Sequence, residues 1–311
     1  MRAVLAPLMA LLMLSGCLDA ITGNDDENNP SLLPEWEIGT WWLYTFVTPE
    51  FGEDSARLVV ADSIDDEGHW MVGISSEKEA QRHAVVNHNP FLGRVTFDQL
   101  SVYENGEPQR VFNFPWEQGS QWNFVLFSQS WNARTASIND LVIRVTAESS
   151  ENHELEYYFD KSKGFISKLT WHDDQGETRL FMTLNDYGTN HAGDVWFIRA
   201  TDLLDNRYNA VDGELYDTFL DEGHPSGSDF DRLVWYLDVD IASGGTGTLS
   251  LKDHVGTSAL TRQWGSNSQE SGSIGIIPSV SGEYSLTVTL SGQSSFIHLK
   301  VAGGLVNKWT L

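Results

Sequence analysis

A nine-residue pattern occurs twice in the chain, and the second copy begins eighty positions after the first, at Trp116 instead of Trp36. Both copies read W-E-x-G-[ST]-x-W-x-[YF] and lie just after a proline. The glycine predicts a turn, and the alternating apolar residues after it predict a β-strand. Because strand side chains alternate between faces, the aromatic residues of each copy share one face, which is either core or the wall of a cavity for an apolar ligand. The candidate ligand-binding residues on these faces are Trp42, Tyr44, Trp122 and Phe124.

Most of the chain up to residue 188 consists of similar short alternating segments. Turn-forming residues separate them at 65–68, 104–107 and 173–176, and the Asn-Gly pair in the second of these is a strong hairpin signal. One short helix is predicted over residues 77–86. These segments predict an antiparallel meander that forms a curved sheet, or half-barrel, over residues 34–188.

The chain after residue 193 shows a more regular alternation. Residues 233–241, 284–290 and 297–301 each place apolar side chains on one face and polar or mixed side chains on the other, and glycine-rich breaks separate them. This pattern predicts a second domain, a jelly-roll-like β-sandwich over residues 194–311. The turn-rich stretch 185–193 is the predicted boundary, and the predicted fold class is all-β throughout.

The first residues predict where the protein is located. One arginine precedes an apolar run that is too short to cross a bilayer, which is typical of a secretory signal peptide over residues 1–16. The following Leu-Ser-Gly-Cys resembles the lipobox of prokaryotic lipoproteins, and that resemblance implies a diacylglyceryl group on Cys17. The polar acidic residues 17–33 predict a flexible tether. We therefore expect a protein anchored by lipid to the outer face of a membrane or in the periplasm.

The charge of the chain excludes some partners. It carries 44 acidic and 19 basic residues, a formal net charge of −25. Nucleic acid and anionic lipid head groups need clustered positive charge, so neither is an expected partner. The acidic residues are spread along the chain, which is typical of a solvated acidic surface.

Two family resemblances refine these expectations. Residues 158–166, which read YFDKSKGFI, lead into a strand that is followed by Asp-x-x-Gly at 173–176 and a closing strand. This order resembles the LolA/LolB-like half-barrel lipoproteins, and the resemblance implies a sheet curled around an apolar cavity for acyl chains. Residues 282–288, GEYSLTV, are similar to the G-x-Y-x-L-x-V strand of pre-peptidase C-terminal domains. That resemblance implies an accessory domain.

Catalytic signatures are absent from the sequence. It has no G-x-S-x-G elbow, no H-E-x-x-H, no phosphate-binding loop, and no cysteine besides Cys17, so we expect a protein that is not an enzyme and needs no cofactor. Calcium is a possible bound metal, because the stretch 194–231 is rich in carboxylates, the oxygen ligands that Ca²⁺ prefers. The candidate calcium ligands are Asp202, Asp205 and Asp212.

These features favour a lipid-anchored protein that binds an apolar or lipid-like ligand in the N-terminal sheet. One alternative is a surface adhesion protein with a calcium-stabilised sandwich. Another is a carbohydrate-binding protein, in which the Trp-Glu pairs at 36–37 and 116–117 form a sugar platform, or a glycosidase, which needs two carboxylates about 5 to 9.5 Å apart. The lipid-anchored ligand-binding protein is the leading expectation among the three.

Overall fold

The computed structural model describes residues 33–86, 89–210 and 213–311. The predicted signal peptide, Cys17, all of the tether before residue 33, and the candidate ligand Asp212 lie outside these residues. In chain order, the elements are β1 (Trp41–Thr48), β2 (Gly52–Ile64), β3 (His69–Ile74), α1 (Glu77–Val86), β4 (Gly93–Thr96), β5 (Val102–Glu104), β6 (Glu107–Gln109), β7 (Gln121–Leu126), β8 (Gln129–Ile138), β9 (Val142–Ser149), β10 (Glu154–Asp160), β11 (Phe165–His172), β12 (Thr178–Gly188), β13 (Asp194–Asn209), β14 (Glu214–Asp221), β15 (Arg232–Asp240), β16 (Gly247–Lys252), β17 (Ser258–Trp264), β18 (Gln269–Ile277), β19 (Gly282–Leu290) and β20 (Phe296–Thr310).

The prediction of an all-β fold is confirmed. Sixteen antiparallel strands form one sheet in the order β18-β15-β20-β13-β3-β2-β1-β12-β11-β10-β9-β8-β7, and β4, β5 and β6 branch from β3. The other four strands form a second sheet in the order β14-β19-β16-β17. The predicted helix is also confirmed, because α1 spans Glu77–Val86. Local turn chemistry explains the hairpins: Asn105 and Gly106, with φ of 52° and 83°, make the tight turn between β5 and β6.

The two copies of the nine-residue pattern form equivalent turns. Gly39 and Gly119 both have positive φ, 90° and 82°. Each glycine N–H donates to the strand beside its own, Gly39 to the oxygen of Val60 at 2.8 Å and Gly119 to the oxygen of Thr135 at 2.9 Å. Val60 and Thr135 then donate back to the residue after the glycine. The repeated pattern is thus a device that starts a strand and binds it to its neighbour, β2 for β1 and β8 for β7.

Side chains of the protein itself fill the inner face of the N-terminal sheet. The segment between β6 and β7 lies across this face and places the Phe112 ring against Tyr157, Phe159 and Phe165, with ring centroids 6.0, 5.3 and 6.0 Å away. The Tyr157 hydroxyl donates to the backbone oxygen of Val111, which ties this segment down. The result is a packed aromatic core.

Strand β13 continues the sheet from the N-terminal part of the chain into the C-terminal part. It begins six residues after β12 ends, so the predicted boundary lies between these two strands. A single residue pair, Trp196 with Ile74, joins β13 to β3, whereas β13 pairs with β20 over almost its whole length. Gly73 permits the close approach, because a Cβ there would lie 2.7 Å from Val195 Cγ1. The predicted division into two domains stays a prediction.

A second core lies between the four-stranded sheet and the apolar faces of β13, β15 and β20. Leu233, Leu237, Leu249, Tyr284 and Ile297 are all fully buried in it. All but Leu249 are apolar positions of the predicted alternation. Burying them leaves a charged area, the polar face, on the other side of β13, β15 and β20, beside Val234, Tyr236 and Ala302, which pack with α1. Within residues 33–86, 89–210 and 213–311, no helix has the length and apolarity that crossing a membrane requires.

Candidate functional site

The polar face of β13, β15 and β20 carries two rows of charged side chains. Strand register places His298 of β20 opposite both Asp238 of β15 and Arg207 of β13. Two residues further along, Lys300 lies opposite Asp205 on one side and Tyr236 on the other. Directly opposed residues of antiparallel strands point to the same face, so acids and bases alternate within a small area.

The turn between β1 and β2 forms one wall of a cleft over this polar face. Phe51 in the turn packs edge-on against Tyr236, with ring centroids 5.2 Å apart, and Lys300 Nζ lies 5.1 Å from the Phe51 ring centre. Arg82 of α1 holds the turn in place by donating to the Phe51 backbone oxygen at 2.8 Å. The cleft encloses about 650 Å³, which lies within the range of small-molecule sites. Its lining residues are Pro49, Glu50, Asp205, Arg207, Asp238 and His298.

His298 is the centre of the cleft. Its Nε2 lies 2.8 Å from Asp205 Oδ1 and 4.0 Å from Glu50 Oε1. The other oxygen of Asp205 is 2.9 Å from Lys300 Nζ. The His298 side chain is only 9% exposed, whereas that of Asp205 is 48% exposed. The histidine therefore lies deep in the cleft and the carboxylate lies nearer to solvent.

The two aspartates beside His298 have pKa values displaced in opposite directions. Burial raises the pKa of Asp238 above its usual value, although His298 and Arg207 oppose the rise. Burial would also raise the pKa of Asp205, but hydrogen bonds from His298 and Lys300 outweigh it, and this pKa is lowered. The His298 ring and the Arg207 guanidinium can donate hydrogen bonds in this cleft, and the Asp205 and Asp238 carboxyls can accept them. The cleft therefore offers both hydrogen-bond donors and acceptors to a polar ligand.

The four aromatic residues predicted to bind a ligand lie in the core of the N-terminal sheet. Trp42, Tyr44, Trp122 and Phe124 are 0%, 0%, 9% and 3% exposed. The Tyr44 hydroxyl donates to the backbone oxygen of Ile166 at 2.6 Å, and burial raises its pKa well above the usual value. A ligand could reach these four side chains only by displacing protein atoms. Their role as ligand-binding residues stays a prediction.

The two tryptophans proposed as a sugar platform are not on the surface. Trp36 is 7% exposed and Trp116 is 3% exposed, and Trp36 packs at 4.9 Å against Trp42. An aromatic sugar platform needs one open ring face, so the expectation that the Trp-Glu pairs at 36–37 and 116–117 supply it is wrong. The aromatic residues are core because their apolar area is large and each motif strand has one buried face.

The candidate calcium ligands are not brought together as a metal centre. Asp205 binds His298 and Lys300, and Asp202 lies near the same lysine on β13. Among the described residues, no three His, Cys, Asp or Glu side chains are grouped closely enough to hold a metal ion. A calcium ion at Asp205 would have to displace the Lys300 ammonium. Calcium binding stays a prediction.

Sequence reasoning did not select Glu50, Arg207, Asp238 or His298. A signal for the last two was present, because β15 and β20 each have a mixed face, one with Asp238 and Asp240 and the other with His298 and Lys300. Two strands with opposite charges on their mixed faces favour pairing with each other. Glu50 gave no such signal, since only the packing of the β1–β2 turn brings it to this face.

Comparisons with known proteins give weak structural matches. No protein-family model matches the chain, and no curated protein matches it. An exo-β-1,3-galactanase from Phanerochaete chrysosporium, solved with galactose, matches 83% of this chain and 68% of its own, at 9% identity and a TM-score of 0.21. A glycoside hydrolase family 43 arabinoxylan arabinofuranohydrolase from Bacillus subtilis matches 83% of this chain and 64% of its own, at 10% identity and a TM-score of 0.18. A structure of infectious bursal disease virus matches 89% of this chain and 74% of its own, at 9% identity and a TM-score of 0.17.

The expectation that the chain is not an enzyme is contradicted by these matches, since glycoside hydrolases are among them, and we withdraw it. The expectation came from missing sequence motifs, and carboxylate pairs that cleave glycosides have no such motif. This chain spans about two thirds of the length of the two hydrolases described above. With a TM-score near 0.2 in each case, the matches assign no substrate and no catalytic residue to this chain.

Proposed function

We propose that the protein binds carbohydrate in the cleft between the β1–β2 turn and the polar face of β13, β15 and β20. The observation that carries this proposal is the row Asp238–His298–Arg207 beside Asp205, with an aromatic side chain, Phe51, at the edge. Sugar hydroxyl groups both donate and accept hydrogen bonds, and this row offers carboxylates and a guanidinium within one small area. Carbohydrate binding was one alternative left open by the sequence.

The test is calorimetric titration of the folded chain with soluble trisaccharides of glucose, xylose, galactose and mannose. We expect at least one to bind, and Asp238→Asn to weaken that binding by roughly tenfold, the usual effect of losing a hydrogen bond to a charged group. Glu148→Gln is the matched control, because Glu148 is an exposed strand carboxylate outside the cleft. The proposal fails if Asp238→Asn and Glu148→Gln bind equally well, or if nothing in a wider glycan array binds.

The same samples should be assayed for released reducing ends. The pKa of Asp238 is raised and that of Asp205 is lowered, and glycoside hydrolysis uses two carboxyls that differ in this sense. Hydrolysis that Asp238→Asn abolishes, while Glu148→Gln leaves it intact, would extend the proposal from binding to catalysis.

The remaining proposals concern location and other ligands. We propose anchoring through an acylated Cys17, and the test is whether Cys17→Ser moves the protein from the membrane fraction to the soluble fraction. An apolar ligand in the N-terminal sheet is the weaker proposal, because Phe112 and its neighbours occupy the space that an acyl chain would need. A calcium-stabilised adhesion protein is also a weaker proposal, because the Asp205 carboxylate already forms an ion pair with Lys300.

A further inference from the structure

A second pocket lies on the other side of the β1–β2 turn from the cleft. It encloses about 180 Å³, and Pro49 and Glu50 line both it and the cleft. Its walls include the rings of Phe51, Phe127 and Trp171, and its rim includes Arg179. One turn of the chain therefore separates an aromatic pocket from the polar cleft, and a ligand of several units can contact both.

The aromatic wall of this pocket is a stacked pair. The rings of Phe127 and Trp171 lie nearly parallel, 6° apart in orientation, with centroids 4.7 Å apart. Both side chains are only partly buried, unlike the aromatic residues of the core. Trp171 is held in place by its Nε1, which donates to His153 Nδ1 at 3.3 Å. The two rings cover each other's inner faces, so a sugar ring can pack its C–H face only against an outer face of the pair.

The backbone of Phe127 has a left-handed conformation that is unfavourable for a bulky side chain. Phe127 and Ser128 have φ of 55° and 58°, the left-handed region, and form the two-residue turn between β7 and β8. Asn and Gly favour such positions and a phenylalanine does not. A bulky ring held there against backbone preference points to a role for the ring itself.

Arg179 supplies an unpaired positive charge at the rim. Its residue is exposed, and it makes no hydrogen bond or ion pair with any residue of the described ranges. In a chain with 44 acidic residues, a guanidinium without a carboxylate partner is free to bind an anionic group of a ligand.

We infer that this pocket binds a uronic acid unit of an acidic oligosaccharide, with the sugar ring on Phe127 and Trp171 and its carboxylate on Arg179, while the following units lie in the polar cleft. The inference rests on the proposed carbohydrate function and adds the ligand class. It follows from the shared wall at Pro49 and Glu50, the open aromatic pair and the unpaired arginine, taken together.

The test compares binding of a trisaccharide of one terminal galacturonic acid and two galactose units with binding of the neutral galactose trisaccharide to the folded chain. We expect the acidic ligand to bind roughly tenfold more tightly at low salt, and this preference to fall at 0.5 M NaCl, as an exposed ion pair requires. Arg179→Gln should remove the preference. Arg134→Gln, which changes an exposed arginine of β8, should leave it intact.

A second pair of variants separates binding from folding. Phe127→Gly relieves the left-handed strain but also removes the ring stacked on Trp171, so circular dichroism should show that the variant is folded, and it should bind the acidic ligand more weakly by roughly tenfold. Ser128→Gly in the same turn should leave the affinity unchanged. Equal affinity for the two ligands, or Arg179→Gln with an unchanged preference, would overturn the inference. The proposed function would still stand if the neutral ligand bound and Asp238→Asn weakened that binding.

Discussion

The Trp42 indole Nε1 donates a 2.8 Å hydrogen bond to the backbone oxygen of Lys163. Trp122 holds the same position in the second copy of the repeated pattern, but its buried Nε1 has no partner among the described residues. The two tryptophans thus occupy the same position in the repeated pattern but have different partners in space. The difference arises because the β10–β11 turn, which carries Lys163, lies beside the first copy and not the second.

This difference predicts that Trp42→Phe and Trp122→Phe lower the free energy of unfolding by different amounts. Trp42→Phe leaves the Lys163 oxygen without its donor, so we expect it to lower the free energy of unfolding by roughly 1–3 kcal/mol more than Trp122→Phe does. Both variants lose the same ring volume, so each controls for the other. Urea unfolding followed by circular dichroism measures the difference. Equal losses in the two variants would contradict the assigned role of the Trp42 hydrogen bond.

The lowered pKa of Asp205 predicts a pH-dependent contribution to stability. Because the folded pKa lies below the unfolded value of about 3.9, the contribution is present above that value and is lost as the pH falls through the folded pKa. We expect Asp205→Asn to lower Tm at neutral pH, by the equivalent of at most about 1 kcal/mol for so exposed a group. The difference in Tm between Asp205→Asn and the wild type should become smaller as the pH falls through the folded pKa of Asp205. A Tm gap that is the same across the titration, as measured by scanning calorimetry beside Glu148→Gln, would show that the Asp205 charge plays no part.

A substitution at Gly73 tests how much the contact between β3 and β13 contributes to stability. A Cβ at this position would lie 2.7 Å from Val195 Cγ1 and 2.9 Å from the Trp196 oxygen, so Gly73→Ala must push β13 away from β3. We expect a loss of about 1–3 kcal/mol, as for other overpacked sites. Gly265→Ala is the control, because a Cβ there meets nothing within 4 Å. Thermal unfolding that is unchanged in Gly73→Ala would mean that the junction contributes nothing to stability.

A substitution at Phe51 tests whether the β1–β2 turn contributes to saccharide binding in the cleft. Phe51→Ala removes the ring beside Lys300 and opens one wall of the cleft, so we expect saccharide affinity to fall several-fold. We expect little change in Tm, because the ring is only partly buried. Titration of the variant with the best-binding trisaccharide measures the effect. A large drop in Tm without any change in affinity would assign Phe51 to folding alone.

Much of the local structure could be predicted from the sequence. Glycines at turn positions, an Asn-Gly pair and strict alternation are short-range signals, and they predicted the hairpins and the all-β class that the structure shows. The candidate cleft could not be predicted in the same way. Asp205 and His298 form a hydrogen bond although they are 93 residues apart in the sequence. Glu50, from the β1–β2 turn, lies near the same histidine. No periodicity in a single strand encodes a contact of that length.

The sequence alone determined that this chain alternates as strands, where those strands turn, and that Trp42 and Trp122 point to the same side of their strands as their motif partners. Only the tertiary structure decided what lies against those faces. Phe112, from a segment without regular structure, fills the inner face of the N-terminal sheet, whereas the turn that carries Phe51 covers only one side of the polar face and leaves a cleft lined by Asp238 and His298. The physical reason is that side-chain alternation specifies two faces locally, while burial of either face depends on which distant segment covers it.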